Sequence, residues 1–102
     1  MKECCKAYLN EQFDGDQEVA VEIYVEYVSS TGEKIAELDK AAASGDWPAV
    51  DKLAHAVKGN ALAVGDQEVV EAAIALRGAA TLGDAAQAEG LVARLKELAK
   101  EL

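Results

Sequence analysis

The sequence predicts an all-α protein built as an antiparallel, up-and-down helical bundle. The 102 residues include one proline and only 5% aromatic side chains. Ala, Leu, Val, Glu and Lys predominate, and most of these residues lose little entropy in a helix. Hydrophobic residues make up 51% of the chain, enough for a buried core without disulfides or a metal. Short turn signals separate the helical stretches, so consecutive helices are expected to run antiparallel.

Glycine–aspartate pairs mark three of the turns. They occur at Gly45-Asp46, Gly65-Asp66 and Gly83-Asp84. Glycine tolerates the left-handed conformation that often ends a helix, and aspartate can cap the helix that follows. The apolar spacing between these turns predicts helices over about 47–64, 67–81 and 85–101. In the last of them, an apolar seam is expected to face the bundle. It consists of Ala88, Leu91, Leu95, Leu98 and Leu102.

Two further helices are predicted in the first half of the chain, a short one over about 2–11 and a long one over about 16–43. Asp14 with Gln17 fits a capping box at the start of the long helix, as Asp84 with Gln87 does for the last helix. Gly32 is expected to kink or split the long helix, because glycine is a poor helix former.

The length of the chain leaves room for one domain. We expect that domain to span 1–102, with an N-terminal helical extension over 1–15 and the bundle over 16–102.

The net charge of −9 argues against nucleic-acid binding, because a DNA or RNA binder needs a cationic face that displaces counterions. No cluster of Lys and Arg indicates docking on an anionic membrane. No apolar run approaches the roughly 18 residues of a membrane span, and the first residues lack the apolar stretch of a signal peptide. We therefore expect a monomeric, cytoplasmic protein that binds neither nucleic acid nor membrane.

The two cysteines, Cys4 and Cys5, are adjacent. Neighbouring cysteines rarely form a strain-free disulfide, and two thiolates alone do not complete a tetrahedral zinc site. We interpret them as reduced thiols of a cytoplasmic protein and expect no metal site.

The predicted helix over 47–64 has two distinct faces at about 100° per residue. One face carries the apolar stripe Val50, Leu53, Ala54, Val57, Ala61 and Val64. The opposite face carries His55, Lys58, Gly59 and Leu62, together with Asp51 and Asp66. The stripe is typical of a core-facing surface, so the only histidine of the chain is expected to point towards solvent.

A lone histidine has several ordinary roles. A core histidine is disfavoured because His55 lies opposite the apolar stripe. A metal ligand is disfavoured because no second histidine or well-spaced cysteine accompanies it, and a hydrolase because the chain has no nucleophile elbow. On periodicity alone, an idle surface histidine stays open.

The neighbours of His55 favour a more active role. Lys58 lies one turn further along the same face, where its ammonium can neutralise a phosphoryl group on the imidazole. Gly59 costs about 1 kcal/mol relative to alanine in a helix, and close approach of another molecule would explain it. Leu62 adds an apolar side chain to the same face, as a docking surface would need.

Two short segments and one glycine of this sequence resemble the signature of a known family. Residues 45–47 read Gly-Asp-Trp, residues 53–61 read Leu-Ala-His-Ala-Val-Lys-Gly-Asn-Ala, and Gly65 follows. This arrangement closely resembles the signature of histidine-containing phosphotransfer (HPt) domains, G-D-W followed by A-H-x-[LV]-K-G-x-x-x-x-x-G. The resemblance covers roughly residues 16–102. It implies an antiparallel four-helix bundle with an additional short N-terminal helix.

The resemblance also implies roles for individual residues. His55 corresponds to the histidine that accepts the phosphoryl group, Lys58 to the side chain that steadies it, and Gly59 to the small residue that lets a receiver domain approach. Gly65 corresponds to the glycine that ends the helix. The sequence departs from the family at Arg77, since a Gln or Glu from the following helix commonly lies near the phosphohistidine. The arginine is expected to reach the phosphoryl group or the partner, or else to be solvated.

Arg77 shares its helix face with Val70, Ala73 and Ile74. We expect these three apolar side chains to pack inwards, with the stem of the arginine along the edge of the core.

The implied function is that of a phosphorelay carrier. His55 would accept a phosphoryl group from the aspartate of a receiver domain, in a response regulator or hybrid histidine kinase, and pass it to another receiver. An ordinary imidazole, with a pKa of about 6.5, is largely neutral and nucleophilic at cytoplasmic pH. The chain has no nucleotide-binding glycine loop, so we expect no ATP-dependent kinase activity and no cofactor of its own. The Mg²⁺ of the reaction is expected on the receiver.

Two alternatives stay open. The chain could be the phospho-accepting domain of a chemotaxis-type histidine kinase, although its start at Met1 and lack of a linker favour a free-standing carrier. It could also be a non-catalytic helical interaction module.

Overall fold

The computed structural model describes residues 1–102 and contains five α-helices and no strand. The helices are α1 (Glu3–Gln12), α2 (Gln17–Ala43), α3 (Trp47–Val64), α4 (Gln67–Leu82) and α5 (Ala85–Ala99). The predicted all-α class is therefore confirmed. The 27 residues of α2 span about 40 Å at 1.5 Å per residue, so this helix accounts for the longest dimension of the molecule, 43 Å.

Four of the helices form a closed bundle. Each of α3 and α4 packs against the helix before and the helix after it, and α5 packs against both α4 and α2. Because the connections between these helices are only two or three residues long, consecutive helices run antiparallel. The short helix α1 lies against α2 and α3. None of the five helices combines the length and the apolar character needed to cross a bilayer.

Two of the three glycine–aspartate turns behave as expected, whereas Asp66 of the third makes no side-chain cap. Gly45, Gly65 and Gly83 all have positive φ angles between 65° and 70°. The carboxylates of Asp46 and Asp84 accept hydrogen bonds from the backbone N–H groups of Ala49 and Gln87, at 3.3 and 3.1 Å. At Gly65, the ring of Tyr8 fills the space that a Cβ would need, so glycine is required there for both reasons.

The start of α2 differs from the prediction. Asp14 does not cap the helix, because Asp14 and Gly15 both adopt positive φ angles, 49° and 79°, and form the turn themselves. Asp16 is the cap, and its carboxylate accepts from the N–H of Val19 at 3.3 Å. Of the kink or split expected at Gly32, the split is wrong, since α2 runs through this residue as one helix.

The core lies along the axis of the bundle. Five of the six predicted stripe residues of α3 are buried, and Leu53 is half-buried. In α5, Ala88, Leu95 and Leu98 are buried, while Leu91 and Leu102 are only partly covered. Val92, which the predicted seam left out, is buried as well. The buried stripe fixes the rotation of α3 about its own axis and thereby sets which residues face outwards.

Candidate functional site around His55

His55 lies in the middle of α3, on the side turned away from the core. Its side chain is exposed, while its neighbours Ala54 and Val57 are completely buried. The core packing of these two neighbours therefore holds the imidazole at the protein surface.

Arg77 of α4 reaches across to this histidine. Its Nη1 atom lies 3.0 Å from Nδ1 of His55, and its Nε–H donates to Oδ1 of Asp51 at 2.9 Å. Asp51 precedes His55 by one turn of α3, so a single guanidinium connects two residues of the neighbouring helix. An arginine side chain has only donors and stays protonated, which means that Nδ1 of His55 is the acceptor in this contact.

A shallow depression of about 270 Å³ lies between α3 and α4 beside the histidine. It is lined by Asp51, Lys58, Ile74, Arg77, Gly78 and Thr81. Lys58 and Arg77 bring two positive charges to a depression whose only acidic lining residue is Asp51. Such a surface suits a ligand that carries negative charge next to the imidazole.

The surface around the depression is open and partly apolar. A Cβ added at Gly59 or Gly78 would meet no other atom within 4 Å. Leu62 of α3 and Ile74 of α4 are 49% and 50% exposed. We expected Ile74 to pack inwards, and that prediction is wrong. Nearly every side of α4 carries apolar residues, so its sequence pattern does not identify the outward side.

Asp66 also differs from its predicted position. The helical period placed it on the exposed face with His55, but its side chain is completely buried. The helix ends at Val64 and Gly65 takes a positive φ angle, so the period no longer applies at Asp66. Its two carboxylate oxygens accept from Nζ of Lys2 at 2.8 Å and from the hydroxyl of Tyr27 at 2.7 Å.

This buried carboxylate perturbs its neighbours. Burial, together with the hydrogen bond and the charge of Asp66, raises the pKa of Tyr27 far above the usual value. Burial alone would lower the pKa of Lys2, but the hydrogen bond to Asp66 and its negative charge outweigh that effect, and the pKa is raised. The same cluster therefore keeps the tyrosine neutral and the lysine charged.

Cys4 and Cys5 lie next to the same carboxylate. Cys4 is exposed, Cys5 is buried, and their Sγ atoms are 3.9 Å apart. One potential metal-ligand atom from each of Cys4, Cys5 and Asp66 lies within 4.8 Å of the other two. Both oxygens of Asp66, however, already accept hydrogen bonds. Burial raises the pKa of Cys5 to about 12, which keeps its sulfur a neutral thiol. A cation bound here would have to displace Lys2, and the group is separate from the His55 site.

The structure thus brings His55, Lys58 and Arg77 to one surface, with Gly59 and Leu62 on the same side of α3. Sequence reasoning missed Ile74, Gly78 and Thr81 of α4, and it missed that Asp51 holds Arg77. One signal was available for Asp51, because it lies one turn before the histidine on the same face. No such signal existed for the α4 residues, which depend on how α4 is rotated against α3.

Comparison with known proteins identifies the family that the chain matches. The family model of the Hpt domain matches residues 22–102. No curated protein and no solved structure matches the chain. The matched range includes all the surface residues described around His55 and all of α3, α4 and α5, but leaves out α1. Since this match covers most of the sequence, the chain belongs to the Hpt domain family, whose members carry phosphoryl groups in phosphorelays and exchange them with receiver domains.

Proposed function

We propose that this protein is a phosphorelay carrier in which His55 accepts a phosphoryl group from the aspartyl phosphate of one receiver domain and donates it to another. The observation that carries the proposal is the exposed imidazole of the only histidine, held by a buried stripe and flanked by Lys58 and Arg77. The alternative of an idle surface histidine offers no reason for this combination.

The chemistry needs little from the chain beyond position and charge. A lone pair of an imidazole nitrogen forms the N–P bond while the P–O bond of the aspartyl phosphate breaks, and the receiver's carboxylate leaves with the electron pair. Phosphoryl transfer depends mainly on alignment and charge neutralisation. Lys58 supplies positive charge from this chain, and Mg²⁺ would be held by the receiver. The protein would have no ATP-dependent kinase activity.

The receiver is proposed to dock on the face that carries the histidine. Leu62 and Ile74 give this face an apolar part, and the open space above Gly59 lets another backbone approach. Apolar contacts around a charged centre are typical of protein interfaces. We expect the carrier to act as a monomer in the cytoplasm. The free thiols of Cys4 and Cys5 suit such a reducing compartment.

The proposal is tested by mixing the protein with a panel of phosphorylated receiver domains in the absence of ATP. Phosphate should move from at least one receiver to the wild-type protein, and none should reach His55→Gln with unchanged helix content. Phosphorylation only by a separate ATP-bound kinase domain would favour the chemotaxis-type alternative. Failure with receivers and kinases alike would favour a non-catalytic interaction module.

A further inference from the structure

The contact between Arg77 and His55 has a chemical consequence for the histidine. A neutral imidazole carries a proton on one ring nitrogen and a free lone pair on the other. Arg77 donates to Nδ1 at 3.0 Å, so in the neutral ring Nδ1 holds the lone pair and Nε2 holds the proton. The lone pair of Nδ1 accepts the hydrogen bond from the guanidinium, and the protonated Nε2 has no free lone pair for nucleophilic attack.

We propose that Arg77 is a positioning residue that keeps His55 in a non-nucleophilic form and must leave Nδ1 before the ring can accept a phosphoryl group. This inference deepens the proposed function and rests on it for its biological meaning. It holds for either point of attack. Attack by Nδ1 requires its lone pair to be released, and attack by Nε2 requires the proton to move to Nδ1.

The geometry also allows Arg77 to release Nδ1 of His55 while the arginine stays at the site. Its Nε–H is bound to Asp51 at 2.9 Å, and the two side chains are 36% and 42% exposed. Asp51 therefore retains the arginine at the site while Nη1 is free to exchange partners. A phosphoryl group with nearly two negative charges attracts a guanidinium more strongly than a neutral ring nitrogen does. The arriving phosphoryl group would draw Nη1 away and free the ring that attacks it.

The transfer step then balances. The freed nitrogen forms the N–P bond, the receiver's carboxylate leaves with the electrons of the P–O bond, and the proton on the other ring nitrogen is released to water. Removing Arg77 has two opposing effects on this step, because it frees the ring but also removes a positive charge. A test of the inference therefore needs an electrophile without negative charge.

Diethyl pyrocarbonate is such an electrophile, and its reaction with the single histidine can be followed by the absorbance of the carbethoxyimidazole. In the pH range where the ring is neutral, Arg77→Met should react roughly threefold to tenfold faster than the wild type, since one exposed hydrogen bond is lost. Lys52→Met is the matched control, because it removes an exposed cation one turn before His55 on α3 that makes no hydrogen bond to the ring, and its rate should be unchanged. Arg77→Lys keeps a donor-only cation and should restore part of the slow reaction.

Nitrogen NMR of the wild-type protein gives an independent readout that needs no variant. With only one histidine, the two ring nitrogens can be assigned directly, and in the neutral ring Nε2 should carry the proton while Nδ1 is a hydrogen-bonded acceptor. A protonated Nδ1, or equal rates for Arg77→Met and the wild type, would overturn the inference. Neither measurement involves a receiver, so a receiver that fails to transfer phosphate would contradict the proposed function and leave this result standing.

Discussion

Two small clusters in this protein each contain one carboxylate paired with one cation, but their surroundings are very different. The His55 cluster consists of His55, Arg77 and Asp51, and the Asp66 cluster consists of Asp66, Lys2 and Tyr27. The ion pairs are almost equally short, 2.9 Å in the first and 2.8 Å in the second. Arg77 and Asp51 are 36% and 42% exposed, whereas Lys2 and Asp66 are 9% and 0% exposed.

Because of this difference in burial, the Asp66 cluster contributes to stability and the His55 cluster is free to take part in chemistry. An exposed ion pair contributes at most about 1 kcal/mol to stability, so the His55 cluster can exchange partners without disturbing the fold. Breaking a buried pair leaves an uncompensated group and costs several times as much. The Asp66 cluster therefore fastens the start of the chain to the α3–α4 turn, while the His55 cluster remains available for chemistry.

The largest effect is expected from Asp66→Ala. The substitution leaves the hydroxyl of Tyr27 and the ammonium of Lys2 without their partner, and we expect the free energy of unfolding to fall by about 3 kcal/mol. Urea denaturation measures this loss. Phosphate acceptance per folded molecule should be unchanged, since the His55 cluster is intact.

Asp46→Ala and Asp84→Ala are matched controls for that variant. Both aspartates follow a turn glycine as Asp66 does, but their side chains cap a helix at the surface, and such a cap contributes about 1 kcal/mol. If all three variants lost the same stability, the proposed difference between a buried cluster and an ordinary cap would not exist.

The next effect concerns Gly59. A Cβ added at this position meets no other atom within 4 Å, so we expect a glutamine there to leave the helix at least as stable, while its side chain would obstruct the approach of a receiver. We expect Gly59→Gln to slow receiver-dependent transfer by about tenfold or more, because small misplacements in a transfer complex are costly. Gly90→Gln is the control, as Gly90 is equally open but lies on α5. Transfer at the wild-type rate by Gly59→Gln would remove the steric role of this glycine.

Raising the pH should destabilise the protein through Cys5 and through Tyr27 of the Asp66 cluster. Burial raises the pKa of Cys5 from the ordinary 9.0 to about 12 and also raises the pKa of Tyr27. The unfolded chain therefore loses these protons at lower pH than the folded protein. The contribution of the protonated groups to the free energy of unfolding is fully present below about pH 9. For Cys5 alone, the free energy of unfolding falls by about 1 kcal/mol per pH unit as the pH rises towards 12.

Urea denaturation across this alkaline range measures the slope. Cys5→Ala should reduce it, whereas alanine at the exposed Cys4 should leave most of it in place. A slope that does not depend on Cys5 would show that other groups govern the alkaline loss of stability.

The smallest effect is expected from Lys58→Ala. The lysine neutralises part of the charge of a bound phosphoryl group, but it lies at a partly exposed site where such an interaction contributes at most about 1 kcal/mol. Transfer should therefore slow by roughly fivefold or less, with no change in unfolding free energy. Lys100→Ala, at the end of α5, controls for the loss of one positive charge. An equal effect of the two substitutions would mean that Lys58 acts only through net charge.

Much of this architecture follows from local patterns in the sequence. The apolar stripe of α3 predicted the outward position of His55, and the glycine–aspartate turns predicted the ends of the helices. Both signals depend on residues within one or two helical turns. The same reasoning failed for Asp66, which lies just beyond the end of α3, where a positive φ angle interrupts the helical period. A period extrapolated across a turn carries no information about burial.

The remaining errors have a different physical origin. Ile74 was expected inside because α4 has apolar residues on most sides, and only the positions of α3 and α5 decide which side is covered. The break expected at Gly32 did not occur. Buried residues on the same helix, such as Tyr27 and Ile35, provide more packing energy than one helical glycine costs. These outcomes depend on contacts between distant parts of the chain.

The proposed function requires that the exposed imidazole of His55 carries the phosphoryl group. The most direct measurement is nitrogen NMR of the labelled protein after incubation with a phosphorylated receiver and without ATP. The ring signals of the single histidine should shift as an N–P bond forms and should return to their original positions after mild acid removes the phosphate. The variant His55→Gln should acquire no phosphate under the same conditions. Phosphate on the chain with unshifted His55 ring signals, or phosphate retained by His55→Gln, would contradict the account.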